Sequence, residues 1–198
     1  MSRNFFNRAA SDWDQRVKHD HRKIKETISS LPELDFECNQ ILDVGSGTGV
    51  LVPFLKGRYG CEAVITEFDY AREMIKRAEE KYKSYSNINF IVGDFYTYPL
   101  QEEYYSLVIC YSVFPHFADK KQVLKNSYSC LKKAGLLVIF HSESREAINE
   151  MHHSKKCQLP EEAILPPADE VAGMARDMGF KVITEIDNSQ KYLLVLQK

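Results

Sequence analysis

The residues best able to do chemistry fall in an ordered series. Ile41-Leu42-Asp43-Val44-Gly45-Ser46-Gly47-Thr48-Gly49 places glycine at every second position directly after an apolar run. Glycine is needed where the backbone takes positive φ, or where a ligand must approach with no Cβ in the way. If a helix follows, its first amides face a polar or anionic group. Asp43, Gly45, Ser46, Gly47 and Gly49 are therefore candidate cofactor-holding residues. The spacing is not the Gly-x-Gly-x-x-Gly of dinucleotide enzymes. After a second apolar run comes Glu67-Phe68-Asp69-Tyr70, and after a third, Val92-Gly93-Asp94-Phe95. A carboxylate at the end of a second strand can accept both hydroxyl hydrogens of a ribose, and Asp69 and Glu67 both qualify. Asp94 followed by Phe95 could accept from an exocyclic amine and pack on a purine. As a set at successive strand ends, these residues describe an adenosine site.

Three histidines form a second group. His116 follows a fourth apolar run, His141 ends a fifth, and His152 lies in the polar segment after it. Parallel α/β sheets bind ligands beyond the carboxyl ends of their strands, where the first two must lie. One of the three could act as a general base on a hydroxyl or thiol. They could instead hold a metal with Glu143 or Cys157, or be loop residues. His116, His141 and His152 are the catalytic candidates, and no metal is expected. Arg145, Asn149 and His152, spaced i, i+4 and i+7, would share one helical face, either substrate-reading or solvated.

These groups need elements that bring them to one edge. Residues 1–37 are polar, charged and aromatic, with Phe5, Phe6, Ala9, Ala10 and Trp13 at helical spacing. Ile24 and Ile28 continue that stripe beyond the basic stretch 18–23. From Gln40 onward, apolar runs at 41–44, 63–65, 88–92, 107–111 and 136–140 read as strands. Helical patterns fall at 50–56, 71–82 and 120–131, the last with Gly135 as its stop signal. Strands apolar on both faces and separated by helices imply a parallel sheet between helical layers. The stretches 180–186 and 192–196, joined by Asp187-Asn188-Ser189-Gln190, read as a hairpin, and 160–167 as a loop.

Composition narrows the function. The chain has 198 residues, 26 basic and 28 acidic, for a net charge of −2. That balance argues against a surface organised around nucleic-acid phosphates. No apolar stretch approaches the roughly 18 residues that cross a bilayer, and the first residues lack a signal peptide's apolar core. The cysteines (Cys38, Cys61, Cys110, Cys130 and Cys157) are scattered without a Cys-x-x-Cys pair, as suits a reducing compartment. The expectation is one cytoplasmic domain with no nucleic-acid or membrane partner.

Over roughly residues 4–198 the chain resembles the class I S-adenosylmethionine-dependent methyltransferases of the small-molecule type. Residues 41–49 match that family's first motif. Asp69-Tyr70-Ala71-Arg72-Glu73-Met74-Ile75 resembles its Asp-x-Ser-x-Glu-Met-Leu segment, which favours Asp69 over Glu67. Val92-Gly93-Asp94-Phe95 resembles its adenine segment. Residues 105–117 resemble the Phe-Asp-x-Val segment ending in Leu-His-His, and 131–137 the Leu-Lys-Pro-Gly-Gly lead into the fifth strand. Ala71, Ser106 and Lys133-Ala134 depart from the pattern without removing a turn glycine or an adenosine acid. The resemblance implies S-adenosylmethionine held by Asp43, Gly45, Ser46, Gly47, Gly49, Asp69, Tyr70, Asp94, Phe95 and Tyr111. It implies a doubly wound, mostly parallel seven-stranded α/β sheet with helices on both faces and one antiparallel strand. It also implies a single methyltransferase domain, 1–37 a helical lid and 38–198 the cofactor core. The segment after the fourth run lacks the Asn/Asp-Pro-Pro-Tyr of amide and adenine methylation, so a small-molecule acceptor is expected. The rivals are a non-catalytic module that keeps the cofactor as a structural ligand, and a nicotinamide-dependent oxidoreductase.

Overall fold

A computed structural model of the chain describes residues 3–34, 39–153 and 164–198. Cys38, Cys157 and Pro160 lie outside these residues. Five parallel strands come first: β1 (Gln40–Val44), β2 (Val64–Asp69), β3 (Ile88–Val92), β4 (Tyr105–Tyr111) and β5 (Leu131–His141). β6 (Lys181–Asp187) and β7 (Tyr192–Gln197) complete a seven-stranded sheet of order β3-β2-β1-β4-β5-β7-β6. β7 alone runs antiparallel to its neighbours, as expected. The order reverses between β1 and β4, and a crevice opens at such a switch point beyond the carboxyl ends of the strands.

Successive strand residues point to opposite faces, and the central strands β1, β4 and β7 are buried on both. Leu42, Val108, Leu137 and Leu194 pack on one side with α6 (Lys120–Cys130) and α8 (Ala168–Asp177). Ile41, Leu107, Val138 and Leu193 pack on the other with α3 (His21–Ser29) and α4 (Val52–Tyr59). α5 (Arg72–Tyr82) lies against β2 and β3. α1 (Arg3–Ala9) and α2 (Trp13–Arg16) precede α3, and α7 (Arg145–His153) follows β5.

Four differences from the sequence expectation have physical causes. The N-terminal stripe is not continuous: Phe6, Ala10 and Trp13 pack with Ala71 and Met74, while Ile24 and Ile28 join the opposite helical layer. β2 runs on to Asp69, so Glu67 and Asp69 belong to the strand rather than to a loop beyond it. α6 ends at Cys130 and β5 starts at Leu131, with the turn at Ala134 (φ +65°) and a bulge opposite, so Gly135 is not the stop. α8 is built on small residues, Ala168, Ala172 and Ala175, which let a helix lie close on the sheet without an obvious apolar stripe.

Candidate active site

The glycine turn sits at the switch point. The amides of Gly45 and Ser46 both donate to the carbonyl of Phe68, at 2.7 and 3.1 Å, which locks the turn onto β2. Gly47 takes φ +57° and donates its amide to Asp69 Oδ2 at 3.0 Å. Asp69 Oδ1 accepts the Ala71 amide at 2.8 Å, so this carboxylate ties the turn to the start of α5. Burial pushes its pKa up, and those amide bonds oppose the rise. A Cβ on Gly47 would meet only Trp13 Nε1, at 3.8 Å, whereas one on Gly45 would overlap Val113. The position left open is therefore the one that faces the cavity.

A cavity of about 220 Å³ opens there. Of the predicted cofactor residues, Asp43, Gly45, Ser46, Gly47, Asp69, Tyr70, Asp94, Phe95 and Tyr111 line it. Gly49 does not; it lies behind the turn, where a Cβ would press on Tyr82 at 2.7 Å. Glu67, the second ribose candidate, is fully buried and is absent from the wall, which supports the choice of Asp69. Asp94 Oδ1 caps its own loop by accepting the Tyr96 amide at 3.0 Å, while Phe95 packs edge-on to Phe68. Asp43 is 1% exposed and belongs to the cavity wall, and its buried Oδ2 has no hydrogen-bond partner. A group with a cationic end fits such an acid, and a nucleoside fits the open Gly47 edge and the two further acids.

The opposite end is aromatic. Phe6 packs on Trp13, Tyr70 and His116, with ring centroids 5.5 to 6.0 Å apart. His19 Nδ1 and the Tyr111 hydroxyl are 3.1 Å apart, and the same hydroxyl is 3.3 Å from Ser142 Oγ. Lys23 Nζ donates to the carbonyls of Ser142 and Gln190, pinning α3 over this edge. His19 lines the cavity and is held neutral chiefly by burial, which lowers its pKa. Sequence reasoning missed it: within the basic stretch 18–23 it looked like part of a charge run. Ser112, at φ +54°, also lines the cavity, and no local signal marks that strained backbone.

The three candidate histidines gather but do different things. His116, at the end of a 3-10 turn (Phe114–His116), lines the cavity. Its ring lies 5.2 Å from that of His152, and its buried Nδ1 has no hydrogen-bond partner. His141 is buried at the end of β5, with Nε2 unpartnered and its ring edge-on to Tyr192. Neither His141 nor His152 lines the cavity. Burial first, then the neighbouring imidazole of His152, pushes both His116 and His141 down to about 3. Among the described residues no three His, Cys, Asp or Glu side chains are placed to hold a metal ion. The proposed substrate-reading face of α7 is instead structural: Arg145 pairs with Asp187 at 2.8 Å, and Asn149 brackets the backbone of Leu165.

A doubly wound sheet with a glycine turn, and with acids at the ends of β1 and β2 and beyond β3, defines a nucleoside-cofactor-binding protein. A profile described as a methyltransferase domain matches residues 42–139. The chain is 32% identical over 168 residues to the malonyl-[acyl-carrier protein] O-methyltransferase of Acetivibrio thermocellus, covering 82% of this chain and 57% of that protein. It thus spans little more than half the length of the curated relatives it matches. It superposes on a chain from the complex between the Haloferax volcanii Trm112 methyltransferase activator and a methyltransferase (TM-score 0.80, 18% identity, 100% and 97% covered). The N-methyltransferase NodS from Bradyrhizobium japonicum, solved with S-adenosyl-L-homocysteine, gives a TM-score of 0.73 at 14% identity, with 98% and 97% covered. The chain belongs to the class I S-adenosylmethionine-dependent methyltransferases. S-Adenosylmethionine is accordingly its cofactor, and the nicotinamide alternative falls.

Proposed function

We propose that the chain methylates a small molecule at an uncharged atom, with residues 1–37 as a lid over the 38–198 core. The reading rests on the acceptor end of the cavity. Phe6, Trp13, Tyr70, His116 and Phe117 supply rings there, and among the described residues no Lys or Arg lines the cavity. When bound, the cofactor supplies an electrophilic methyl on a sulfonium. Gly47 gives the approach without a side chain, and Asp69 and Asp94 take the ribose and the adenine. The aromatic wall excludes water and aligns the acceptor, which is most of what an in-line displacement requires. His116 lines the cavity with a neutral imidazole, which orients an acceptor O–H or N–H by a hydrogen bond and turns its lone pair toward the methyl. Held down to about 3, it is a weak base at neutral pH, so orientation is its role, and the proton of the methylated acceptor passes to solvent after transfer. His141 and His152 pack behind it as positioning residues. The buried free thiols of Cys110 and Cys130 and the net charge of −2 support a cytoplasmic setting without nucleic acid. Among the described residues, no helix is long and apolar enough to cross a membrane.

The 32% identity to a malonyl-[acyl-carrier protein] O-methyltransferase favours a second reading, methylation of a carboxylate on a carrier-borne acyl chain. A carboxylate would be drawn by a cation, which the described lining residues do not supply. One experiment separates the readings: S-adenosylhomocysteine production followed on a metabolite panel and, in parallel, on malonyl-acyl carrier protein. Turnover of neutral alcohols, amines or thiols is expected. Turnover of the malonyl substrate alone would overturn the small-molecule reading. Cofactor binding with no turnover across both sets would favour the non-catalytic module.

A further inference from the structure

The buried acids of β1 and β2 outnumber those that reach the cavity. Asp43 and Glu67 are register partners on adjacent parallel strands, so their side chains leave the sheet side by side in the same direction. They are 1% and 0% exposed, and Asp69 follows two residues along β2. The groups facing them do little to neutralise two charges. The Ser46 hydroxyl lies near Glu67 without closing a hydrogen bond onto it. From α5, Tyr82 packs against the turn, and the Lys81 ammonium is drawn to the Thr48 carbonyl at 3.1 Å and to Asp14. From β4, the register partner of Asp43 is Ile109, which is apolar and fully buried. Two carboxylates side by side in such a layer cannot both ionise. Only Asp43 touches the cavity, and its Oδ2 is unpartnered.

We propose that Glu67 is a positioning residue that stays uncharged beside Asp43, so that Asp43 alone ionises, and that entry of the cationic cofactor drives this ionisation and expels one proton to solvent. The proposal rests on S-adenosylmethionine occupying this cavity. It is supported by burial, which raises Asp43 to about 8 with the Asp69 charge adding to it. Burial and then the charge of Asp43 hold Glu67 well above the usual carboxylate range. A free Asp43 thus carries a proton at neutral pH and loses it when a sulfonium and an ammonium arrive to compensate its charge.

The test is calorimetric titration of the intact chain with S-adenosylmethionine at pH 7, in buffers of differing ionisation enthalpy. The wild type is expected to release about one proton per cofactor bound. Asp43→Asn should abolish that release and weaken binding, whereas Glu67→Gln should still release its proton. Release from the ligand's own amine is common to all three proteins and cancels in the comparison. Release that persists in Asp43→Asn, or disappears in Glu67→Gln, would overturn the assignment. Should Glu67→Gln fail to fold, the wild type and Asp43→Asn still decide the matter. Binding without buffer dependence sinks this proposal alone; no binding at all sinks the cofactor reading with it.

Discussion

The two ends of the cavity reach the same electrical state from opposite chemistries. Under the glycine turn, Asp43 and Glu67 are acids whose charged forms burial disfavours, with Asp43 raised to about 8 and Glu67 held well above the usual carboxylate range. At the other end, His116 beyond β4 and His141 behind it at the end of β5 are bases whose charged forms burial disfavours, both lowered to about 3. Desolvation penalises whichever form is charged, so at neutral pH the protein's side of the cleft is less charged than its residue types suggest. The ends differ in how they are held. The acid end rests on backbone bonds: Gly45 and Ser46 to Phe68, Gly47 and Ala71 to Asp69. The histidine end rests on ring contacts among Phe6, His116 and His152, which come from well-separated parts of the chain. Cofactor affinity should therefore be decided at the first end, and turnover at the second.

The sharpest way to break that division is Gly47→Val. A β-branched side chain at φ +57° is strained, and its bulk enters the cavity mouth, so a loss of at least about 100-fold in cofactor affinity is expected. Calorimetry on the folded variant checks this, and retained affinity would remove the turn from the site. Asp69→Ala comes next, with a loss of about 1–3 kcal/mol in cofactor binding, since a charge-bearing hydrogen-bond partner disappears. The same substitution at Glu67 should cost less affinity, and the reverse order would exchange the two acids' roles.

His116→Ala probes the other end. Turnover should fall by about 10–100-fold, the worth of one orienting hydrogen bond in a dry site, with cofactor affinity changed by less than about threefold. The wild-type rate should show no inflection near pH 6.5, because the folded imidazole stays neutral down to about 3. A clear inflection at that pH would restore His116 as a general base.

The smallest effect is on stability. His141 titrates near 6.5 when unfolded and near 3 when folded, so its contribution is complete above pH 6.5 and is lost as pH falls toward 3. The loss is at most about 1.4 kcal/mol per pH unit. His141→Leu should flatten the fall in melting temperature between about pH 6 and 4. An unchanged slope would mean that the buried imidazole is reached by water.

Much of this protein was written in its sequence, for a local reason. The glycine turn, Asp69, Asp94 and the alternation of apolar runs with helical segments are all patterns of neighbouring residues. A strand, a turn and a strand-end acid are defined by backbone conformation and burial over a few positions. That is why the sheet, its antiparallel β7 and most of the residues lining the cavity beside the glycine turn could be anticipated. What only the tertiary structure decided depends on residues distant in sequence. His19 became part of the cavity because Lys23 pins α3 to the Ser142 and Gln190 carbonyls. Gly49 and Glu67 were turned away from it because β2 extends to Asp69 and α5 brings Tyr82 against the turn. Arg145 and Asn149 left the site for Asp187 and Leu165. The protonation of the acids and histidines followed last, since it depends on how much water the assembled layers exclude.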